Sequence, residues 1–145
     1  MIESRKTTFT LVTYPSLWLP KKDEISFLLL GCGNQWKHDL TTIAHDEWRS
    51  KNLSFFTIEE ETISVDHFHW TWHHLQCVNY VIIHLDNAAP FDLVALGAAI
   101  EGKKKPIVIG NCITPEIDAI LTLHGIIPYD SLDTLSNHFC ALYEN

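Results

Sequence analysis

Continuous apolar runs, separated by stretches of helical periodicity, organise this chain. Residues 80–85 (Tyr-Val-Ile-Ile-His-Leu) form one such run, residues 92–101 are small and apolar and close at Gly102, and residues 106–109 form a second run. A continuous Val/Ile run suits a strand covered on both faces, so the pattern predicts a parallel βαβ unit. In open sheets of this kind, ligands lie beyond the carboxyl ends of the strands. That edge carries Asp86, Asn87 and Asp92 and is where the site is expected.

The same alternation extends over the chain. Residues 8–14 read as a strand, at an edge, and residues 15–24 as a loop with two prolines and the pair Lys21-Lys22. Residues 25–30 read as a buried strand running into Gly31-Cys32-Gly33. Asn34 is a candidate cap for an amphipathic helix over 36–51 on Leu40, Ile43, Ala44 and Trp48. A strand over 53–58 ends in Glu59-Glu60-Glu61, and Phe68, Trp72 and Leu75 mark a helix over 66–77. Thr114-Pro115-Glu116 has the composition of a helix start, and Gly125 that of its end. Residues 126–128 predict a short last strand and 131–143 a closing helix on Leu132, Leu135, Phe139 and Leu142. Strands alternating with helices define an α/β class with a mostly parallel sheet. The expected division is an N-terminal strand and Pro-containing loop (1–24) packed on an α/β domain (25–145).

Composition narrows the partners. The 145 residues suit one domain, and 46% hydrophobic with 19% charged residues is the balance of a folded protein. A formal charge of −8 argues against a nucleic-acid polymer, which requires clustered Lys and Arg. The run Lys103 to Lys105 reads as a solvated turn, favourable at the negative end of a helix. The four cysteines lack CxxC spacing, which suits reduced thiols in a cytoplasmic protein. Residues 1–10 lack an apolar signal core, and no apolar stretch approaches the ~20 residues of a membrane span. The expectation is a soluble protein with no membrane partner.

Several residues could carry chemistry. Gly31-Cys32-Gly33, between a strand and a helix, has the form of a phosphate or ribose cradle and equally that of a tight turn. It lacks the third glycine of a dinucleotide fingerprint and the Lys-Ser/Thr of a P-loop. Asp86 and Asp92 could orient sugar hydroxyls or steady a positive charge, while turn formation and helix capping would also explain them. His69 and His73 have a helical metal-ligand spacing, but no third ligand is apparent. Solvated histidines on the wetter face of an aromatic helix, or packing histidines, with no metal, are therefore expected. Cys32 reads as a small buried residue rather than a reactive thiol. No G-x-S-x-G nucleophile motif is present.

Three segments together resemble the nucleoside 2-deoxyribosyltransferase-like family. They are Phe27-Leu-Leu-Leu-Gly-Cys-Gly-Asn-Gln-Trp36, then Phe68 to Leu75 with the strand Val78 to Ile82, and Ala89 to Gly97 followed by Gly102-Lys103 and Pro106-Ile107-Val108. Ile127 to Leu132 is similar to the last strand and helix start of that family. The resemblance implies a single-domain Rossmann/flavodoxin-like three-layer sandwich with a mostly parallel five-stranded sheet. It also implies cleavage of the N-glycosidic bond of a nucleoside or nucleotide, without a cofactor, passing the sugar to a base or to water. In the family the nucleophile is a glutamate directly before the Leu-Gly of the signature helix, and this chain has Ala95 there. Asp92, one helical turn earlier, and Asp86, at the strand end, are then the candidate catalytic carboxylates. Gly31, Cys32, Gly33, Trp36 and Asn87 are the candidate substrate-binding residues. The alternatives are a nucleotide-binding pseudoenzyme and a homo-oligomeric interaction module using the Trp70/Trp72 helix. In some members of the family a neighbouring subunit completes the site.

Overall fold

A computed structural model of the chain describes residues 8–48, 51–59, 64–111 and 113–143. Five strands, β1 (Phe9–Thr13), β2 (Glu24–Leu30), β3 (Asn52–Thr57), β4 (Tyr80–His84) and β5 (Lys105–Ile109), form one sheet in the order β1-β3-β2-β4-β5. Every pairing is parallel, with Leu28 opposite Phe56 on one side and Val81 on the other. The helices are α1 (Gln35–Glu47), α2 (Val65–Cys77), α3 (Pro90–Glu101), α4 (Pro115–Leu123) and α5 (Leu132–Tyr143).

Both faces of the sheet are covered, which explains the continuous apolar runs. Phe27, Leu29, Phe55 and Ile82 face α1 and α5, where they pack on Trp36, Leu40, Trp48 and Phe139. Their neighbours Leu28, Leu30, Phe56, Val81 and Ile83 face the opposite layer with Trp70, Leu96 and Leu121 of α2, α3 and α4. The result is a single-domain, flavodoxin-like α/β sandwich. The predicted edge strand is β1, which joins the sheet beside β3. From β1 the chain crosses to β2 through a loop over α2, where Trp70 Nε1 donates to the Ser16 carbonyl at 2.7 Å. His74 Nε2 lies 2.9 Å from the Trp18 carbonyl oxygen in the same region.

The sheet, expected to be mostly parallel, is entirely parallel among the described residues. Three details differ from expectation. Residues 126–128 are not a strand: only Tyr129 bridges Ile109, through its N–H to the Val108 carbonyl and its carbonyl to the Gly110 N–H. Pro128, with no N–H to donate, interrupts any longer ladder. Helix α1 stops at Glu47 rather than continuing to residue 51, because the pairing of Asn52 with Glu24 already commits the chain to the sheet. Asn34 occupies the N-cap position of α1 but its side chain does not cap, donating instead to the Glu59 carbonyl at 3.2 Å. Glu60, Glu61 and Cys112 lie outside the described residues.

The chain leaves β2 toward β3 on one side and β4 toward β5 on the other. The ends of these two neighbouring strands are the topological switch point of the sheet, where open α/β folds bind ligands.

Candidate functional site

A cavity of ≈ 250 Å³ opens at this switch point, on the side of the sheet covered by α2 and α3. The loop Gly31-Cys32-Gly33 forms one wall. Both glycines have positive φ, 134° at Gly31 and 84° at Gly33, a region that side chains avoid. A Cβ on Gly31 would lie 3.1 Å from Trp36 Cζ2 and 3.3 Å from the His84 carbonyl oxygen, so the close approach also demands glycine. On Gly33 a Cβ would meet nothing within 4 Å. The Cys32 N–H donates to the Asn87 carbonyl at 2.8 Å, tying the β2 loop to the β4 loop.

Asp92 fixes the second wall. It sits at the third position of α3 rather than at the N-cap expected for it; Ala89 is the N-cap. Its Oδ1 accepts the Gly31 N–H at 3.1 Å and its Oδ2 accepts the Ala89 N–H at 2.9 Å. The residue is 6% exposed. Burial raises its pKa above the usual carboxylate value, while the two amides and the Lys37 charge oppose that rise.

Lys37 enters from the first turn of α1. It is 7% exposed, lines the cavity, and its Nζ donates to the Ile58 carbonyl at 2.9 Å. Burial lowers its pKa below that of a free lysine, against the opposing pull of Asp92, Cys32 and Glu59. Thr71 of α2 also lines the cavity; it is 2% exposed and its hydroxyl has no hydrogen-bond partner among the described residues. A buried hydroxyl left unpaired is costly unless something arrives to pair with it. Leu30, Ile58, Trp70 and Phe91 make the remaining surface largely apolar, so a ligand would find an apolar body with a few fixed polar atoms.

The other candidates from the sequence fall outside this cavity. Both oxygens of Asp86 lie 3.1 Å from the Asn111 N–H, which turns the carboxylate toward the end of β5. Asn87 contributes its backbone carbonyl to the loop tie, whereas its exposed side-chain amide lies 3.3 Å from His84 Nδ1. Trp36 packs in the α1/α5 layer, on the opposite side of the sheet, and its Nε1 donates to the Cys32 carbonyl at 3.1 Å. It buttresses the glycine loop from behind. Burial pushes the neighbouring His84 imidazole down, with Asp86 opposing. Ala95 is 2% exposed and packs in the core between α3 and the sheet.

Cys32 is exposed on the cavity rim rather than buried, because the left-handed glycines on both sides turn it outward. The histidines of α2 divide. His69 and His73 face solvent, but His67 and His74 are buried. His67 Nδ1 accepts the Ser64 N–H at 2.8 Å, and His74 Nδ1 lies 2.9 Å from the Trp70 carbonyl oxygen. These two are structural hydrogen-bonding groups rather than part of a wet face. Among the described residues no group of three or more His, Cys, Asp or Glu side chains could hold a metal ion. No described helix is long and apolar enough to cross a membrane.

Lys37 and Thr71 were not among the residues singled out from the sequence, although a signal existed for the first. Lys37, Leu40, Thr41 and Ala44 are the buried stripe of α1, and helical spacing alone puts Lys37 on it. Thr71 has no comparable signal, since its importance lies in the lack of a partner among the described residues of the folded chain. No protein-family model matches the chain, and no curated protein matches it.

Proposed function

We propose that the cavity binds a nucleoside or nucleotide, with the ligand lying between the Gly31-Cys32-Gly33 loop and the first turn of α3. The observation that carries this reading is the convergence of a glycine loop, a buried lysine and an unpartnered buried hydroxyl on one apolar cavity at the switch point. Its ≈ 250 Å³ favours a compact ligand, since small-molecule sites commonly span roughly 300–1,000 Å³. Apolar walls suit a base, and the polar atoms at the loop suit a sugar. The likeness of the loop and of α3 to the deoxyribosyltransferase-like motifs supports the same ligand class.

Action on the N-glycosidic bond is the activity proposed for this site, with Asp92 as its buried carboxylate. The engagement of both Asp92 oxygens by backbone amides favours a second reading, in which the domain binds the ligand and leaves the bond intact. Mass-spectrometric detection of free base decides between them, using nucleosides, deoxynucleosides and their 5′-monophosphates with and without an acceptor base. Base release supports cleavage. Stabilisation against heat without product supports the binding-only form. The absence of both responses in folded protein would contradict the nucleoside reading.

Self-association belongs to the same proposal. Val65, Phe68 and Trp72 form an exposed row on α2 beside Leu93 and Val94 of α3, whereas Trp70 of the same helix is buried. The occupant proposed for this surface is a second copy of the chain; Phe91, which contacts Phe68 at 5.8 Å between ring centroids and lines the cavity, would join that interface to the site. A mass that rises with concentration, and stays monomeric in Phe68→Glu, is the expected result; a constant monomer mass contradicts it.

A further inference from the structure

Resting on the nucleoside reading, we infer that Lys37 is the amine nucleophile of this cavity, attacking the anomeric carbon of the bound sugar in place of the carboxylate that Ala95 cannot supply. Glu59 also lines the cavity, but it is exposed to water at the rim. Asp92 is held on both oxygens by the Gly31 and Ala89 amides, so attack through it would strip the brace that shapes the loop. Asp86 is turned toward Asn111 and lies off the cavity. Lys37 lines the cavity; its Nζ donates to the Ile58 carbonyl and lies 5.9 Å from the centre of the Trp36 ring. A neutral amine that donates one N–H to Ile58 still holds its lone pair for attack.

Burial works against the ammonium form, while the charges of Asp92, Cys32 and Glu59 oppose that effect. Lysines become nucleophiles when an apolar setting disfavours the ammonium. Burial among Leu30, Ile58 and Trp70 acts on Lys37 in this sense. The unpartnered Thr71 hydroxyl in the same cavity is a second polar group available to the sugar.

The chemistry balances without a cofactor. The Lys37 nitrogen forms a bond to the anomeric carbon as the glycosidic C–N bond breaks, and the departing base takes up one of the two amine protons. The ring C–O bond then opens, the ring oxygen takes the second proton, and an imine joins Lys37 to the open-chain sugar. Water adds to the imine, releasing the sugar aldehyde and regenerating the amine.

Borohydride reduces an imine to a stable amine and so tests the inference on the whole chain. The protein is incubated with 2′-deoxyadenosine, thymidine and their 5′-monophosphates, reduced with borohydride, and mapped by peptide mass spectrometry. The expected result is a single reduced deoxypentose on the Lys37 peptide, at least tenfold above that on any other lysine and absent from Lys37→Arg. Because the mapping is done on the unmodified protein, it decides even if that variant does not fold. Nucleosides that stabilise the protein against heat yet leave no adduct would overturn the amine mechanism and keep the binding reading. The absence of both stabilisation and adduct would overturn both readings. Adducts spread evenly over surface lysines, or equal in heat-unfolded protein, would also overturn it.

Discussion

Asp92 Oδ1 accepts the Gly31 N–H at 3.1 Å, joining the first turn of α3 to the end of β2 across 61 positions of sequence. With the second oxygen on Ala89, this one carboxylate fixes the relative position of the two loops that face each other across the cavity. Asp92→Ala is therefore expected to cost about 1–3 kcal/mol for each buried amide left unpaired. Urea unfolding measures the loss. A change below about 0.5 kcal/mol would show that the brace contributes little.

The same residue gives a pH dependence of defined sign. Burial raises the folded pKa of Asp92 above 3.8, so the folded state holds this proton more tightly than the unfolded one. Its contribution to stability is full below 3.8 and is lost as the pH rises through the folded value. The stability of wild type minus that of Asp92→Asn should fall as the pH is raised from 3.8, and a rising difference would reverse the assignment.

Gly31→Ala tests the loop itself. The φ of 134° and the 3.1 Å approach to Trp36 leave no room for a methyl group. The expected cost is about 1–3 kcal/mol of strain, with weaker stabilisation by nucleosides in thermal denaturation. Gly33→Ala, strained by its φ of 84° but in open space, should cost less.

His74 holds the crossover loop against α2 through the Trp18 carbonyl, 2.9 Å from its Nε2. His74→Phe keeps an aromatic ring between Trp70 and Phe56 and removes that tie. Loss of about 1 kcal/mol from local opening corresponds to roughly fivefold faster cleavage by trypsin at Lys21 and Lys22. Unchanged cleavage would show that packing alone retains the loop.

On the other face, the Ser136 hydroxyl accepts from Trp48 Nε1 at 3.0 Å and donates to Glu47 at 2.7 Å, linking α5 to the end of α1. Ser136→Ala should cost about 1–3 kcal/mol, and less in a Trp48→Phe background where no indole N–H is left unpaired. Equal costs in both backgrounds would mean that the two residues are uncoupled.

The α/β alternation and nearly every element were legible in the sequence because buried parallel strands are written as unbroken apolar runs such as Phe27 to Leu30 and Tyr80 to Ile83. The site was legible to a lesser degree. The Gly31–Gly33 loop and Asp92 follow from the strand-loop-helix pattern, and all of them line the cavity. Asp86, Asn87 and Trp36 lie close to them in sequence, yet side-chain direction carries them elsewhere. Trp36 and Lys37 are adjacent on α1, and the ~100° turn between successive helical residues sends one to the α1/α5 layer and the other to the cavity. The register of that helix against the sheet is a tertiary property. The unpaired state of Thr71 is likewise visible only once its surroundings are assembled.

Alkylation of Cys32 tests the central claim most directly, because its thiol is exposed on the cavity wall while the exposed Cys77, at the far end of α2, serves as an internal reference. Rates of modification by iodoacetamide are followed by peptide mass spectrometry with and without saturating nucleoside or 5′-monophosphate. At least one of these compounds is expected to slow Cys32 severalfold and to leave Cys77 unchanged. Equal rates at Cys32 across the whole panel would contradict a nucleoside-type ligand in this cavity.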